Sequence, residues 1–569
     1  MINQLIKNVH VYNTFIQTFE TKNVYVHNGK FYYISDDLPL EADEVIDGNG
    51  KYMIPGLIDI HMHIESSMTV PSEFSQAVLP HGVTTVVADP HEIANVFGIR
   101  GIEATISNET TLDIFYGIPS SVPSTNSTLE TTGGVIDVAD VKQLLKNPKI
   151  MCLGEVMNFK DLIGGDETLI NQIIKACHES RWQLPIEGHC PRISGLDLAK
   201  YIYQGVDADH THQTPESIVE KIKNGMFLEI QRKSINQATI DTLVKNNFYE
   251  YFAFVTDDVM ADQLQQGHLN LLVKLAHDLN MPIEKAIYCA TYTPARRMHM
   301  NDRGCIAPGK QADYVLLDDL DNFVISSVYK KGKCVFDRQR KIQIKDQPPV
   351  FPEDFYHSLH AKMATPQDFM IKSNQKEVTC HVMEIEPHST FTKHLKMTLP
   401  VKDGYVDYQS AGLSLLTVFE RYQKNGHIVH ALVKNAFTQA GAIATSWAHD
   451  HHNIMILGND IDDMVMAQQQ LLKQQGGYLV VRNKEVVANT PLKIGGIISD
   501  EPIEKLAASL SKVRKEMAAL GYHHDNAIMS LSTLSLPVSP ELKVTDFGLL
   551  DTHNQTIIPL MEAENDHTN

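Results

Sequence analysis

The feature that most limits what this chain can become is a rhythm that starts at Pro55 and runs to about residue 300. Eight short apolar runs recur there, LIDIHMH, TTVVADP, DIFYGIP, IMCLGEVM, PIEGHC, DADHTH, MFLEIQ and FAFVTDD, with helical patterns such as SEFSQAVLPHG, DETLINQIIKACHES and PESIVEKIKNG between them. Alternating strand and helix signals at this spacing predict an α/β fold, a (β/α)8 TIM-type barrel over residues 55–300. Most of the runs carry His, Asp or Glu at or near their ends. In such a barrel the C-terminal strand ends line one mouth, so side chains distant in sequence are expected to meet there.

Short strand signals broken by polar turns fill residues 1–54, with Asn28-Gly29 as a hairpin signal, and strand character returns at 301–345. The two stretches are expected to pair as a small β-domain flanking the barrel. A proline-rich passage around Gln347 to Pro352 reads as a linker, and residues 360–569 mix strands with amphipathic helices as a C-terminal α+β domain. At 569 residues the chain exceeds what one core organises. A net charge of -20 would repel a phosphate backbone, which sets nucleic acid aside as a partner. Seven cysteines without a CxxC pair predict no disulfide framework. The absence of about 18 to 20 consecutive apolar residues predicts no membrane span, and a cytoplasmic protein is expected.

The strand ends carry the chemistry. His61 and His63 are spaced by two, which on a strand puts both imidazoles on one face. Glu155 ends the fourth run, His189 the fifth, His210 the sixth and Asp257 the eighth, so four imidazoles and two carboxylates are directed at one place. Burying six such groups without a cation would cost solvation heavily. Two divalent ions with Glu155 between them use all six and would make a water nucleophilic at neutral pH. A nitrogen and oxygen set without thiolate accommodates Zn, Fe or Mn.

The string PGLIDIHMHIESSM followed by LPHGVTTVVADPHEIANVFG, then LGEVMNF, EGHCP, ADHTHQTPE, VTDD, TSWAHDHHNIMILGND and GGYLVV, resembles the adenine deaminase family of the amidohydrolase superfamily over nearly the whole chain. The resemblance implies hydrolytic deamination of adenine to hypoxanthine and ammonia in purine salvage, at a binuclear Mn or Fe centre, with adenine and water as partners. A homo-oligomer is expected. Carried onto this sequence, it makes His61, His63, Glu155, His189, His210 and Asp257 the metal groups, with Asp257 also passing the proton of the attacking water towards the leaving group. His91 and Glu92, in DPHEIAN, are candidates to protonate a ring nitrogen or hold the base, although they would also serve as an ordinary helix start. Glu65, Ser66 and Asp258 are candidate substrate contacts. Thr211 stands where many relatives are expected to carry Glu, and Cys190 where a small residue is expected.

The run His449-Asp450-His451-His452-Asn453 reads equally as a contribution of His449, Asp450 and His452 to the site or as a polar loop before the strand IMILG. Two alternatives to adenine deamination stand beside it: a metal-dependent amidohydrolase acting on a cyclic amide or a related aminopurine, and a non-catalytic purine-binding relative.

Overall fold

The computed structural model describes residues 2–165, 167–181, 183–386 and 389–562. The chain divides into two compact units. The first comprises Met1–Pro90, Ile106–Ser120 and Asp137–Pro349, and the second His91–Thr105, Ser121–Ile136 and Val350–Asn569.

In the first unit, β1 (Ile2–Asn13), β2 (Thr18–His27), β3 (Lys30–Ser35), β4 (Ala42–Asp47) and β5 (Tyr52–Pro55) are joined by four strands from far along the chain. Antiparallel pairing of β5 with the strand Tyr314–Asp319 brings the two stretches into one sheet. The β2–β3 turn is Asn28-Gly29, with φ of 48° and 73°. Both values are positive, as a type I′ hairpin turn requires, and Asn and Gly are the residues that tolerate them. Val9, Val24, Phe31, Met53, Tyr314 and Leu316 form the core of this sheet.

The recurrent apolar runs become parallel strands: β6 (Leu57–Met62), β7 (Val83–Ala88), β8 (Asp113–Ile118), β9 (Ile150–Val156), β10 (Ile186–Gly188), β11 (Ala208–Asp209), β12 (Phe227–Ile230) and β13 (Phe252–Phe254). Two parallel sheets hold them, one in the order β10-β9-β8-β7-β6 and one in the order β11-β12-β13. Asp207 N–H donates to Ile186 O at 3.2 Å, and Asp257 N–H donates to His61 O at 3.1 Å beside a parallel bridge between Met62 and Asp257. The intervening helical patterns fold as Pro71–Val78, Leu169–Ser180 and Pro215–Lys223, among others. Thr214 caps the last of these by accepting from Ser217 N, and Pro215 occupies its first turn, where no intrahelical N–H bond is lost.

The second unit is built on a sheet that contains Ser414–Phe419, Ile428–Lys434, Ala442–Thr445, Ile454–Gly458 and Gly477–Arg482. The helix Ile461–Lys473 packs its apolar stripe, Met464, Ala467 and Leu471, into the core with Leu415, Ile456 and Leu479. The segment from His91 begins with the helix His91–Phe97. All seven cysteines are free thiols. Among the described residues, no helix is long and apolar enough to cross a membrane.

Candidate active site

The C-terminal ends of the parallel strands bring the six expected groups together within the first unit. His61 lies near the end of β6 and His63 just beyond it, with ring centroids 5.2 Å apart, and both are almost completely buried. His63 Nε2 lies 3.4 Å from Glu155 Oε1 and 3.5 Å from Asp257 Oδ1. His61 Nε2 lies 3.8 Å from Asp257 Oδ1. Glu155 Oε2 takes His189 Nδ1 at 2.8 Å and faces His210 Nε2 at 3.3 Å. The rings of His61 and His210 stack with centroids 3.8 Å apart. Two overlapping sets, His61 with Glu155 and His210, and His61 with His63 and Asp257, each offer three ligand atoms within 4.8 Å of one another.

Several groups behind these side chains hold them in place. The Nδ1–H of His63 donates to the carbonyl oxygen of Asp89 at 3.0 Å, which leaves Nε2 with its lone pair facing the site. The carboxylate of Asp89 accepts the Glu155 N–H at 3.0 Å. That contact needs the residue before Glu155 to be glycine, because a Cβ on Gly154 would sit 2.2 Å from Asp89 Oδ2. Asp257 adopts φ of 58°, a left-handed conformation that turns the chain at the end of β13. Thr256 donates its hydroxyl to Asp59 Oδ2 at 2.6 Å, and Asp59 Oδ1 accepts the His61 N–H at 3.3 Å.

The electrostatics follow from burial and close opposite charge. Burial pushes Asp59 up to about 7 against its hydrogen bonds. Burial alone would raise Glu155, but His210, His189 and His63 hold it well below the usual carboxylate range. Asp257 is likewise held low against burial by His63 and His210. His61 is pushed well down by burial and by the imidazoles of His210 and His63. A neutral imidazole and ionised carboxylates are the forms that bind a cation.

Thr211 and Cys190, the two residues expected to depart from relatives, meet at one carboxylate. Asp209 accepts the Thr211 hydroxyl, at 3.0 Å on Oδ1 and 2.9 Å on Oδ2, and the Cys190 N–H at 3.0 Å, and Lys221 Nζ pairs with it at 2.6 Å. Both residues therefore belong to a buried hub beside His189 and His210. Ser66 donates to Asp258 Oδ1 at 2.5 Å, and Glu65 is buried in the short helix Ile64–Ser67 that follows β6.

A second cluster lies within the second unit. Glu92, completely buried in the first turn of the helix His91–Phe97, pairs through Oε1 with His449 Nδ1 at 2.5 Å and accepts a short hydrogen bond from His452 Nε2. His452 Nδ1 accepts the Ala448 N–H at 3.2 Å, so the ring proton sits on Nε2 and points at Glu92. His91 Nε2 is 3.6 Å from Glu92, and Asp450 Oδ1 is 3.3 Å from His449 Nδ1. Burial opposes the charge on both partners, yet Glu92 is held well below and His449 well above their ordinary values by their mutual attraction. His91 and Glu92 do start a helix, but a solvent-facing first turn would not be buried against three imidazoles.

Sequence reasoning missed Asp59, Asp89 and Glu229. Glu229, fully buried in β12, has Oε2 3.7 Å from His61 Nδ1, and burial with the adjacent Glu187 carboxyl pushes it well above the carboxylate range. The available signal was an acid inside the apolar run MFLEIQ, since an acid buried in a strand needs a partner.

Comparison with known proteins follows the same lines. Residues 52–335 match the amidohydrolase family, and residues 389–556 match the adenine deaminase C-terminal domain. The chain is 52% identical over 560 residues to adenine deaminase 2 of Oenococcus oeni, covering 98% of each chain. The chain belongs to the adenine deaminase family. Within that family it is also 52% identical over 565 residues to the adenine deaminase of Clostridium perfringens, covering 98% of this chain and 99% of the relative. With that of Lactobacillus delbrueckii subsp. bulgaricus it shares 48% identity over 567 residues, 99% of this chain and all of the relative. Membership makes this adenine deaminase family protein a metal-dependent hydrolase, and the buried His, Glu and Asp sets are where a divalent ion fits its donors.

Proposed function

We propose that this chain hydrolyses adenine to hypoxanthine and ammonia. The observation that carries the reading is the 52% identity, along 98% of both chains, with a protein named adenine deaminase 2. The site is chemically suited to it. Its donor set is two carboxylates and four imidazoles, and we assign His61, His63, Glu155, His189, His210 and Asp257 to two divalent ions, Mn or Fe, with Zn also compatible. Such a pair supplies positive charge that acidifies a water and offsets the negative charge developing on the attacking oxygen.

The chain's own residues handle the remaining steps. Asp257, held ionised, accepts the proton of the attacking water and passes it towards the departing amine. His91 and Glu92 are assigned the ring nitrogen of the base, with Glu92 and His449 sharing the proton that His449 holds at rest. His452 and Asp450 fix the orientation of that pair. Glu65, Ser66 and Asp258 are assigned to substrate binding, with the Ser66 hydrogen bond aiming Asp258.

The architecture belongs to the same reading. We assign the eight parallel strands to a closed (β/α)8 barrel over 55–300, supported by the bonds from Asp207 to Ile186 and from Asp257 to His61 at its two seams. Residues 1–54 with 301–345 form the flanking β-domain, and 360–569 the C-terminal α+β domain. A cytoplasmic homo-oligomer acting in purine salvage completes the proposal. The test is ammonia release from adenine, adenosine, guanine and cytosine, with hydantoin and dihydroorotate as cyclic amides, on protein of measured metal content. Adenine alone is expected to react, chelation is expected to abolish the reaction, and Mn or Fe(II) to restore it at near two equivalents per chain. Turnover of a cyclic amide without adenine, or full turnover by metal-free protein, would refute the reading.

A further inference from the structure

We infer that Glu229 positions His61 for metal binding, an inference that rests on the reading of His61 as a ligand. An imidazole that binds an ion through one nitrogen carries its proton on the other, and the acceptor facing that proton decides which nitrogen is which. For His63 the acceptor is the Asp89 carbonyl. His61 presents the same arrangement with a different acceptor. Its Nε2 faces Asp257 at 3.8 Å, into the cluster, while its Nδ1 faces Glu229 Oε2 at 3.7 Å, away from it.

That separation exceeds a hydrogen bond by about 0.5 to 1 Å, a gap that a small rotation of either side chain closes. Glu229 is completely buried, and among the described residues neither of its carboxyl oxygens makes a hydrogen bond of normal geometry. The Glu187 carboxyl lies close enough to interact with one of these oxygens, and the other oxygen of a buried carboxyl still calls for a partner. His61 supplies one. Glu187 and Arg297 lie beside Glu229, and Arg297 Nη2 holds Glu187 Oε1 at 2.8 Å, so the neighbouring charges are anchored independently of the metal groups. With Nδ1–H directed at Glu229, the Nε2 lone pair of His61 is fixed towards Asp257, one of the groups with which it forms ligand sets.

The experiment compares wild type, Glu229→Gln, Glu229→Met and Glu229→Asp as metal-loaded full-length proteins. The readout is the rate of metal transfer to a chromogenic chelator, with elemental analysis before the transfer and thermal unfolding of each apo-protein as a fold control. Gln keeps the acceptor oxygen and the length, and is expected to release metal within about threefold of wild type. Met removes the acceptor, and release is expected to be about 10 to 100 times faster, the usual effect of losing such a partner. Should the Met variant not fold, Asp carries the comparison, because it withdraws the oxygen by about one bond length of 1.5 Å and is expected to release metal about tenfold faster. Wild-type release from the Met or Asp variant would overturn the assignment, as would a Gln variant as leaky as Met. A wild-type protein that holds no ion, seen in the first elemental analysis, would overturn the metal reading beneath it.

Discussion

Replacing Asp257 with asparagine separates the proton-handling role of this residue from its place among the metal groups. The backbone dictates the choice of substituent, because φ is 58° at this position. A left-handed conformation costs most side chains about 1 to 2 kcal/mol but is one that asparagine adopts routinely, so the variant keeps the turn that an alanine would strain. Asparagine also keeps one oxygen near the position 3.5 Å from His63 Nε2 that Asp257 Oδ1 now occupies. Glu155 retains its contacts with His63, His189 and His210 at 3.4, 2.8 and 3.3 Å, so five of the six groups remain as they are. Metal content is therefore expected near that of wild type and adenine affinity within about tenfold, because what is lost is the proton acceptor and not the ligand cage. Turnover is expected to fall by at least ~100-fold, which corresponds to about 2.7 kcal/mol on the barrier. Elemental analysis, calorimetric binding and ammonia release on one preparation check the three expectations together. A variant with full metal that keeps more than about a tenth of its turnover would place the proton transfer on another group.

Two further outcomes test neighbouring parts of the structure. Glu92→Gln keeps the shape of a buried side chain but removes the charge that His449 and His452 face, so metal content should be unchanged while turnover falls by about two to four orders of magnitude; near-normal turnover would return Glu92 to the role of a helix start. Gly154→Ala places a Cβ 2.2 Å from Asp89 Oδ2 and 2.9 Å from Ile118 O, so the carboxylate must leave the Glu155 N–H. Denaturant unfolding of the apo-protein should show a loss of about 3 to 5 kcal/mol, the sum of a charged hydrogen bond and local overpacking, and an unchanged midpoint would show that this contact is dispensable.

Much of the first unit was legible because its signals are local. Period-two spacing brought His61 and His63 to one site, and an apolar run with an ionisable residue at or near its end marked the ends of β9 and β13. Asn28-Gly29 specified its turn through backbone sterics alone. DADHTH was read as a full run, yet only Ala208 and Asp209 pair as strand. The residues beyond them turn to satisfy the Asp209 carboxylate through Thr211 and Gln213, a hub whose Lys221 arm lies twelve residues away. The acceptors behind the histidines were not legible, because the Asp89 carbonyl and the Glu229 carboxyl act through contacts 26 and 168 residues away in sequence. The run His449 to Asn453 named its residues but not their partner. Its meeting with Glu92, 360 residues earlier for His452, is a property of packing that no window of sequence contains.

Asp89 serves two ligands through two different atoms, its carbonyl oxygen for His63 and its carboxylate for Glu155. A carbonyl belongs to every amino acid, whereas that carboxylate belongs to one, so the two supports respond unequally to change. Substitution at 89 by a residue without a side-chain oxygen would withdraw the Glu155 support outright while leaving the His63 support to depend on whether the backbone stays put. Gly154 is bound to the same choice, since it makes room only for a group that reaches across from position 89. Positions 89 and 154 therefore form a single unit of design. Engineering one without the other either opens a void beside a buried amide or drives a methyl group into a carboxylate, and a reshaped centre has to be built by changing both in one step.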